Sequence, residues 1–356
     1  MNILITGGAG FIGSNFVRYW AKQYPKDKVI VLDKLTYAGD RNRISDVESS
    51  GNVEFVEGDI QDIKLVDSIM HSVQTVVHFA AETHVDRSLA GFEAEQTFYR
   101  TNIEGTSVLL HAAHKYSVQR FHHVSTDEVF GDLDFQDTKK FNEEFPYHPN
   151  NPYSISKAAA DYLVHSFFRT YSLPITVSNC TNNYGPYQTP EKIIPRSISL
   201  LLQGEKIPLY TNAEGMPGTN VRDWLHVVDH CRAIEKILIS GKIGETYCVG
   251  GNAEKSNLQL VNEILDIFSK ETGHLVSFEN NVELVSDRPG HDRRYAMSAG
   301  KLERELQWRP VHTITTGLRE TIHWYLSDVG QHWLESLVKT SNDVRIGQST
   351  KRNNVN

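Results

Sequence analysis

Tyr153 and Lys157 stand four residues apart, so a helix would set both on one face, one turn from each other. The local signals are helical. Asn151 suits an N-cap, Pro152 the first helical position, and Ala158-Ala159-Ala160 follows. An ammonium beside a phenol favours the phenolate, so Lys157 is expected to lower the pKa of Tyr153 and make it a usable base. Upstream, 121–125 reads as a short buried strand with Thr126, Asp127 and Glu128 at its C-terminal end. Open α/β sheets place their ligands at such ends. Two carboxylates beside a tunable phenol form a proton-transfer constellation. Each part alone is weak: Tyr-x-x-x-Lys arises by chance in many chains, and an Asp-Glu pair is usually a solvated loop or a helix start. The combination also needs a redox cofactor upstream.

The start of the chain provides for one. An apolar strand is expected over 2–6, then Gly7-Gly8-Ala9-Gly10-Phe11-Ile12-Gly13, then a helical pattern over 14–23. Glycines at this spacing allow a tight turn, backbone approach to a pyrophosphate, and close packing of helix on strand. Asp33, about twenty residues past Gly13, ends a strand expected over 28–32. A carboxylate there accepts both ribose hydroxyls of an adenosine and repels a 2′-phosphate, which favours NAD over NADP. Lys34 beside it keeps the second option open.

These residues need a sheet to hold them. Strands expected over 53–56 and 75–79 end at Gly58-Asp59-Ile60 and Ala80-Ala81-Glu82-Thr83-His84. Small residues at such ends let a cofactor lie across them. Asp59 either accepts from an adenine amino group or caps a helix from about 61. His84, Asp86 and Arg87 either line the site or cap the next helix. A long helix over 93–116 carries Thr101 and Asn102, the Tyr153 helix ends near 171, and a strand follows over 175–178. Repeated β–α units of this kind predict the α/β class: a Rossmann-type, doubly wound parallel sheet over 1–180. Residues 181–187 have turn composition, and beyond them the strict alternation is lost. A smaller C-terminal substrate-binding domain is therefore expected over 181–330, with 223–250 returning to the sheet as a helix and a strand. Residues 212–220 read as a surface loop, and 256–272 as an amphipathic helix with Leu258, Val261, Ile264, Leu265 and Phe268 on one face. Ser256 before Gln259 resembles a capping box. The stretch Asp287-Arg288-Pro289-Gly290-His291-Asp292-Arg293-Arg294 is a basic turn; its three arginines suit a pyrophosphate, or it is a solvated loop. A last helix is expected over 313–326, and 342–356 is a polar tail.

Composition narrows the class. The net charge of −8 argues against a general binder of nucleic acid or of anionic membranes. No apolar run approaches the roughly 18 residues that span a bilayer, and no signal peptide is recognised at the N-terminus. Cys180, Cys231 and Cys248 are odd in number and lack C-x-x-C spacing, so a reduced cytosolic setting and no metal site are expected.

The glycine pattern with Tyr153-x-x-x-Lys157 resembles the extended short-chain dehydrogenases/reductases. The closer resemblance is to the dTDP-glucose 4,6-dehydratase family. It is carried by Leu35-Thr36-Tyr37-Ala38-Gly39, His84-Val85-Asp86-Arg87-Ser88, Ser125-Thr126-Asp127-Glu128-Val129, Asn182-Asn183-Tyr184-Gly185-Pro186-Tyr187, Arg222-Asp223-Trp224-Leu225 and residues 287–295. It runs from residue 1 to about 328. Epimerases and decarboxylases share the fold motifs, and the acidic pair after Thr126 discriminates. A sister epimerase or decarboxylase would not need Asp127 plus Glu128, and a non-catalytic dinucleotide-binding module would not need Tyr153 and Lys157.

The resemblance implies an NAD site formed by Gly7, Gly10, Phe11, Ile12, Gly13, Asp33, Lys34, Leu35, Thr36, Asp59, Ile60, Ala80, Ala81, Thr83, Thr101, Tyr153, Lys157 and Asn183. It implies contacts to the nucleotide sugar, dTDP-glucose, from Thr83, Thr126, Asn182, Lys192, Ile193, Pro208, Leu209, Tyr210, Arg222, Asn257, Asp287, Arg288, Pro289, Gly290 and His291. It also implies a homodimer. The implied chemistry makes Tyr153 the base at the C4 hydroxyl, with Thr126 on the C4 oxygen, Glu128 the base at C5 and protonated Asp127 the acid for the leaving C6 hydroxyl. Asp127 must then be neutral while Glu128 is ionised. Thr83 stands where the family usually has Ser, Phe130 where it has Tyr, and Asn179 where Arg is common; the last two are expected to carry no chemistry. The loop 212–220 is longer than usual.

Overall fold

The computed structural model describes residues 1–49, 51–287 and 292–337. The polar tail and the expected substrate contacts Arg288, Pro289, Gly290 and His291 lie outside the described residues. In chain order the strands are β1 (Asn2–Thr6), β2 (Lys28–Asp33), β3 (Val53–Glu57), β4 (Thr75–His78), β5 (Arg120–Thr126), β6 (Ile175–Cys180), β7 (Asn182–Tyr184), β8 (Ile207–Thr211), β9 (Val221–His226), β10 (Thr246–Val249), β11 (Glu254–Ser256) and β12 (Val282–Ser286).

The period-2 alternation of the N-terminal strands decides the main layer. Leu4, Ile30, Val76 and Phe121 enter the core on one face of the sheet, and Ile3, Ile5, Val29, Val31 and Val77 enter the core on the other. A sheet buried on both faces is the parallel kind that helical crossovers build. Seven strands pair in the order β3-β2-β1-β4-β5-β6-β10, and every pairing is parallel. The order reverses between β1 and β4, which opens a crevice at the C-terminal strand ends. A third core gathers Tyr184, Ile198, Leu209, Trp224, Ile264, Leu318 and Tyr325. It joins a three-stranded sheet, β11-β9-β7, to the helices Ile193–Leu202, Asn257–Thr272 and Ile314–Leu326, beside a two-stranded β12-β8 sheet. Ser256 and Gln259 form the expected capping box, and Val261, Ile264, Leu265 and Phe268 are buried with Leu258 packed against them.

Several expectations need correction. The first helix begins at Phe11, not 14, because Gly10 in extended backbone is its N-cap. The long helix runs from Phe92 to Lys115 but opens into a π-helical turn over Arg100–Gly105. Asn102, inside that turn, accepts from the Glu82 N–H at 2.8 Å and donates to the Glu82 carbonyl at 3.0 Å and to Ser156 Oγ at 2.8 Å. A widened turn at a functional site is a recurrent device. The stretch 181–187 contains β7, which pairs with β9. Of the returning stretch 223–250, only the helix Val227–Ser240 and β10 rejoin the large sheet, while β9 belongs to the small one. The strands β8, β11 and β12 and the helix Ile193–Leu202 were not expected. They are short, and β8 finds its partner β12 more than seventy residues on. The loop at 212–220 is only half a surface loop, since Leu258 N–H donates to the Gly218 carbonyl and Asn257 N–H to the Asn220 carbonyl.

The Tyr153 helix is Pro152–Tyr171, started as its sequence dictates. Asn151 Oδ1 accepts from the Ser154 N–H at 2.9 Å, and Ser154 Oγ accepts from the Asn151 N–H at 3.1 Å. Tyr153 sits in the first turn and depends on this cap. Asn151→Ala should lower the unfolding free energy by about 1 kcal/mol in urea titration. It should also slow turnover, and an unchanged midpoint would show that Pro152 alone holds the start.

Candidate active site

The end of β5 and the first two turns of the Pro152–Tyr171 helix meet at one cleft of about 770 Å³. Thr126, Asp127, Glu128, Tyr153 and Lys157 all line it. Thr126 caps a short 3-10 helix over Asp127–Phe130, which turns the acidic pair out of the strand into the cleft. Its hydroxyl accepts from the Glu128 N–H and lies 3.3 Å from Asp127 Oδ1. Asp127 is only 3% exposed. Its Oδ2 has no hydrogen-bond partner among the described residues. Burial, and then the charge of Glu128, push its carboxyl up from 3.8 to about 8. A carboxylic acid kept neutral at physiological pH is a proton donor in waiting, as the adjacent roles require.

Tyr153 and Lys157 share a buried helix face as expected, but not the direct pairing. Lys157 Nζ donates to the Val124 carbonyl at 2.8 Å and stands 3.4 Å from His123 Nε2. The Tyr153 phenol is pushed well above its usual value by burial and then by the Glu128 carboxylate, while Thr126 opposes this. The expectation that Lys157 lowers the phenol is therefore not met in this arrangement. The ammonium is aimed along the β5 backbone rather than at the phenol.

The other half of the cleft is shaped for a dinucleotide. Gly7, at φ +71, lies so close to β4's end that a Cβ there would come 2.5 Å from the Ala80 nitrogen. A Cβ on Gly13 would come 2.2 Å from the Gly7 carbonyl oxygen. Gly10 opens the Phe11–Gln23 helix into this space, so its free N–H groups and positive end face the cleft. Asp33 is fastened by N–H donors from Ala9 and Leu35, each at 2.9 Å. Burial raises its pKa, and those two donors oppose the rise. These are the features that hold a pyrophosphate and a ribose, so the residues fit NAD. Phe11, Ile12, Lys34, Thr36, Asp59, Ile60, Ala80, Ala81, Thr83, Thr101 and Asn183 also line the cleft. Leu35, between Lys34 and Thr36, does not; its N–H is committed to Asp33 Oδ1. Lys34 pairs with Asp59 at 2.5 Å, so its ammonium is committed to a carboxylate rather than free for a 2′-phosphate. Asp59 is not a helix cap. Asp62 caps the helix Ile63–Met70.

The far wall carries Asn182, Lys192, Ile193, Pro208, Leu209, Tyr210, Arg222 and Asn257. Asp287, just past β12, is not part of it. The basic turn does not present its described arginines to the cleft. Arg293 pairs with Asp132 and Asp134, and Arg294 with Glu254, so their guanidinium groups are already committed to carboxylates. Of the residues beyond β4, His84 and Asp86 line the cleft and Arg87 instead stacks 3.7 Å over Tyr37.

Three contributors escaped the sequence reading. Arg196 lines the cleft one helical turn after Lys192, and that i, i+4 spacing of cations was the available signal. Tyr295 lines it too, under the Arg222 guanidinium at 4.4 Å. Arg43 is fully buried and donates to the carbonyls of Ala9, Ala38 and Tyr187, tying the glycine loop to the 35–40 loop. Outside the cleft, among the described residues, His226, His312 and Glu320 bring possible ligand atoms within 4.8 Å of one another. The two rings lie 4.1 Å apart and tilted by 37°; His312 is bonded between Asp229 and Glu320, while neither nitrogen of buried His226 has a hydrogen-bond partner among the described residues.

The raised Asp127 carboxyl makes stability pH-dependent. A native pKa above the unfolded one means that the native state holds the extra proton. The stability from this group is full below about 4 and is lost as pH rises through about 8. Asp127→Asn should therefore gain on the unmodified protein across that window, by on the order of a few kcal/mol, in urea unfolding followed at a series of pH values. Parallel stability curves would show that the carboxyl is not held neutral.

The chain is similar over nearly its whole length to nucleotide-sugar dehydratases and, at lower identity, to a UDP-glucose 4-epimerase of Thermotoga maritima, 28% identical with a TM-score of 0.80 over 92% of this chain and 99% of that one. It matches the GDP-mannose 4,6 dehydratase family over residues 4–321. A dTDP-glucose 4,6-dehydratase of Salmonella typhimurium is 45% identical over 355 residues, 95% of each chain. The crystal structure of dTDP-glucose 4,6-dehydratase from Bacillus anthracis in complex with NAD superposes with a TM-score of 0.83 at 44% identity, covering 95% of this chain and 99% of that one. The Streptomyces venezuelae enzyme, also with NAD bound, gives 0.84 at 44% identity over 93% and 98%. With the acidic pair in place beside the Tyr-Lys helix and the dinucleotide cleft, this chain belongs to the dTDP-glucose 4,6-dehydratases of the GDP-mannose 4,6 dehydratase family.

Proposed function

We propose that the protein is an NAD-dependent hydro-lyase that converts dTDP-glucose to dTDP-4-keto-6-deoxyglucose and water. The observation that carries this reading is Asp127: a buried carboxyl, held protonated to about pH 8, next to a second carboxylate at the strand end that faces the cofactor cleft. A 4-epimerase has no use for such a donor.

NAD bound in the cleft supplies the hydride acceptor for C4 and the hydride donor for C6. The chain's own residues move the protons. Tyr153 takes the proton of the C4 hydroxyl, with the Thr126 hydroxyl placed to bond the same oxygen. The C4 ketone acidifies the C5 proton, and Glu128 removes it. Asp127 gives its proton to the C6 hydroxyl, which leaves as water, and a proton returns to C5 from Glu128 as C6 is reduced. Burial excludes bulk water from these transfers. Lys192, Pro208, Leu209, Tyr210, Arg222 and Asn257 form the wall proposed to hold the nucleotide end. In this reading residues 1–180, with the helix Val227–Ser240 and β10, serve the cofactor, and most of 181–330 serves the sugar nucleotide. A homodimer is proposed as well; Phe92, Ile155 and Tyr162 expose large apolar surfaces on the two helices at one flank. Among the described residues no helix is long and apolar enough to cross a membrane. The three cysteines are buried and free, which supports a reducing, cytoplasmic setting.

Isotopes test the cycle. Substrate deuterated at C4 should give product deuterated in the C6 methyl group, with little crossover in an equimolar mixture with unlabelled substrate. In deuterated water C5 should gain one solvent deuteron. Label remaining at C4, or lost to free NADH, would rule the dehydratase out. Tyr153→Phe should abolish the NADH signal on adding substrate. Asp127→Asn should still form it and then stall, because an amide is a poor proton donor.

A further inference from the structure

Beneath the reacting groups lies a second buried layer that the chemistry above does not use. Asp161 follows Lys157 by one helical turn, on the same face, and is 0% exposed. Its Oδ2 accepts three hydrogen bonds, from Ser125 Oγ at 2.9 Å, Tyr147 OH at 2.9 Å and Asn179 Nδ2 at 3.2 Å. Its Oδ1 faces His123 Nε2 at 3.2 Å, and that same nitrogen stands 3.4 Å from Lys157 Nζ. Asn179 also donates to the Thr126 carbonyl at 3.2 Å. The expectation that Asn179 carries no chemistry thus misses a link between Asp161 and the catalytic strand end.

A buried ammonium without a counter-charge costs several kcal/mol and tends to lose its proton. Lys157 is pulled down to about 8 by burial, and Asp161 is the foremost group that opposes the fall. The other titratable groups around the pair do not supply that charge. His78 and His123 are held well below their usual range by burial, and His165 is lowered by it too. The Cys180 thiol is pushed up to about 12. Glu128 and Asp127 act on Tyr153, where Asp161 is not among the groups felt. Burial also raises the pKa of Asp161, and Lys157 and the three donors oppose that rise.

We infer that Asp161 is a positioning residue of this reaction: the counter-charge that keeps buried Lys157 an ammonium, reached past His123, and the anchor that holds Ser125 and, through Asn179, the Thr126 end of β5. The inference rests on the dehydratase reading. Asp161 does not itself line the cleft and stands behind Ser125 and Lys157, which do, so its loss should act on proton chemistry ahead of binding.

The test is the pH profile of NADH formation when the NAD-loaded enzyme is mixed with dTDP-glucose. In Asp161→Asn the alkaline limb, where the ammonium is lost, should move to lower pH by about one unit, a roughly tenfold loss of rate on that limb, with KM unchanged. Asp161→Glu, which keeps the charge, should restore much of the limb. Asn179→Arg sets a cation against Asp161 and should shift the limb in the same direction, so it carries the test if Asp161→Asn does not fold. Profiles that superimpose on the unmodified enzyme would overturn the inference. So would a fall in rate at every pH together with KM and NAD affinity, which marks a structural role. An unmodified enzyme that forms no NADH from dTDP-glucose would overturn the dehydratase reading and this inference with it.

Discussion

The site depends on one constraint, the exclusion of water from the C-terminal end of β5. In the proposed cycle Asp127 can donate a proton at neutral pH because burial and the neighbouring Glu128 charge raise its carboxyl to about 8. In water the same carboxyl would be ionised and useless as an acid. The same burial drags Lys157 down to about 8 and pushes Tyr153 up. In the proposed cycle a single physical effect therefore helps the elimination and hinders the oxidation. The balance is restored by charges placed nearby, which is why a buried carboxylate such as Asp161 under Lys157 matters.

Water is kept out by elements brought in from both parts of the chain. β5 and β6 are central strands, covered on both faces, and the Pro152–Tyr171 helix packs across them. Asn102 fixes the depth of that helix by clamping Glu82 on one side and Ser156 on the other, and the π-helical turn around it gives its side chain the needed direction. The wall opposite comes from the core built on Tyr184, Trp224 and Ile264. Ligand sites between a parallel sheet and a second layer of this kind are the usual place for dinucleotide chemistry.

The cofactor side obeys a steric constraint rather than an electrostatic one. Gly7 and Gly13 are glycines because backbone from β4 and from the glycine loop itself occupies the space of a side chain. Arg43 ties that loop to its neighbours by donating to the carbonyls of Ala9, Ala38 and Tyr187. Asp33 is held in a preset position beside that loop, since both of its oxygens are already oriented by backbone N–H groups.

What the sequence by itself determined is whatever rests on local spacing. The glycine loop, Asp33 at a strand end, the Asn151-capped helix with Tyr153 and Lys157 on one face, and the Thr126-Asp127-Glu128 triplet were all legible, because a strand period of two and a helix period near 3.6 convert residue number into direction. Spacing also announced the Ser256 capping box. Tertiary structure alone decided which distant groups meet. Asp161 is four residues from Lys157 and could have been noticed, yet nothing local says that His123, Asn179 and Tyr147 converge on it. The basic turn read either as a pyrophosphate site or as a solvated loop, and only the fold brings Asp132 and Asp134 to Arg293 and Glu254 to Arg294. The pairings β7 with β9 and β8 with β12 join short segments far apart in the chain, whose stability comes from their neighbours and not from their own pattern. The pKa of Asp127 belongs to the same class: its residue type is in the sequence, but desolvation is a property of the packed fold.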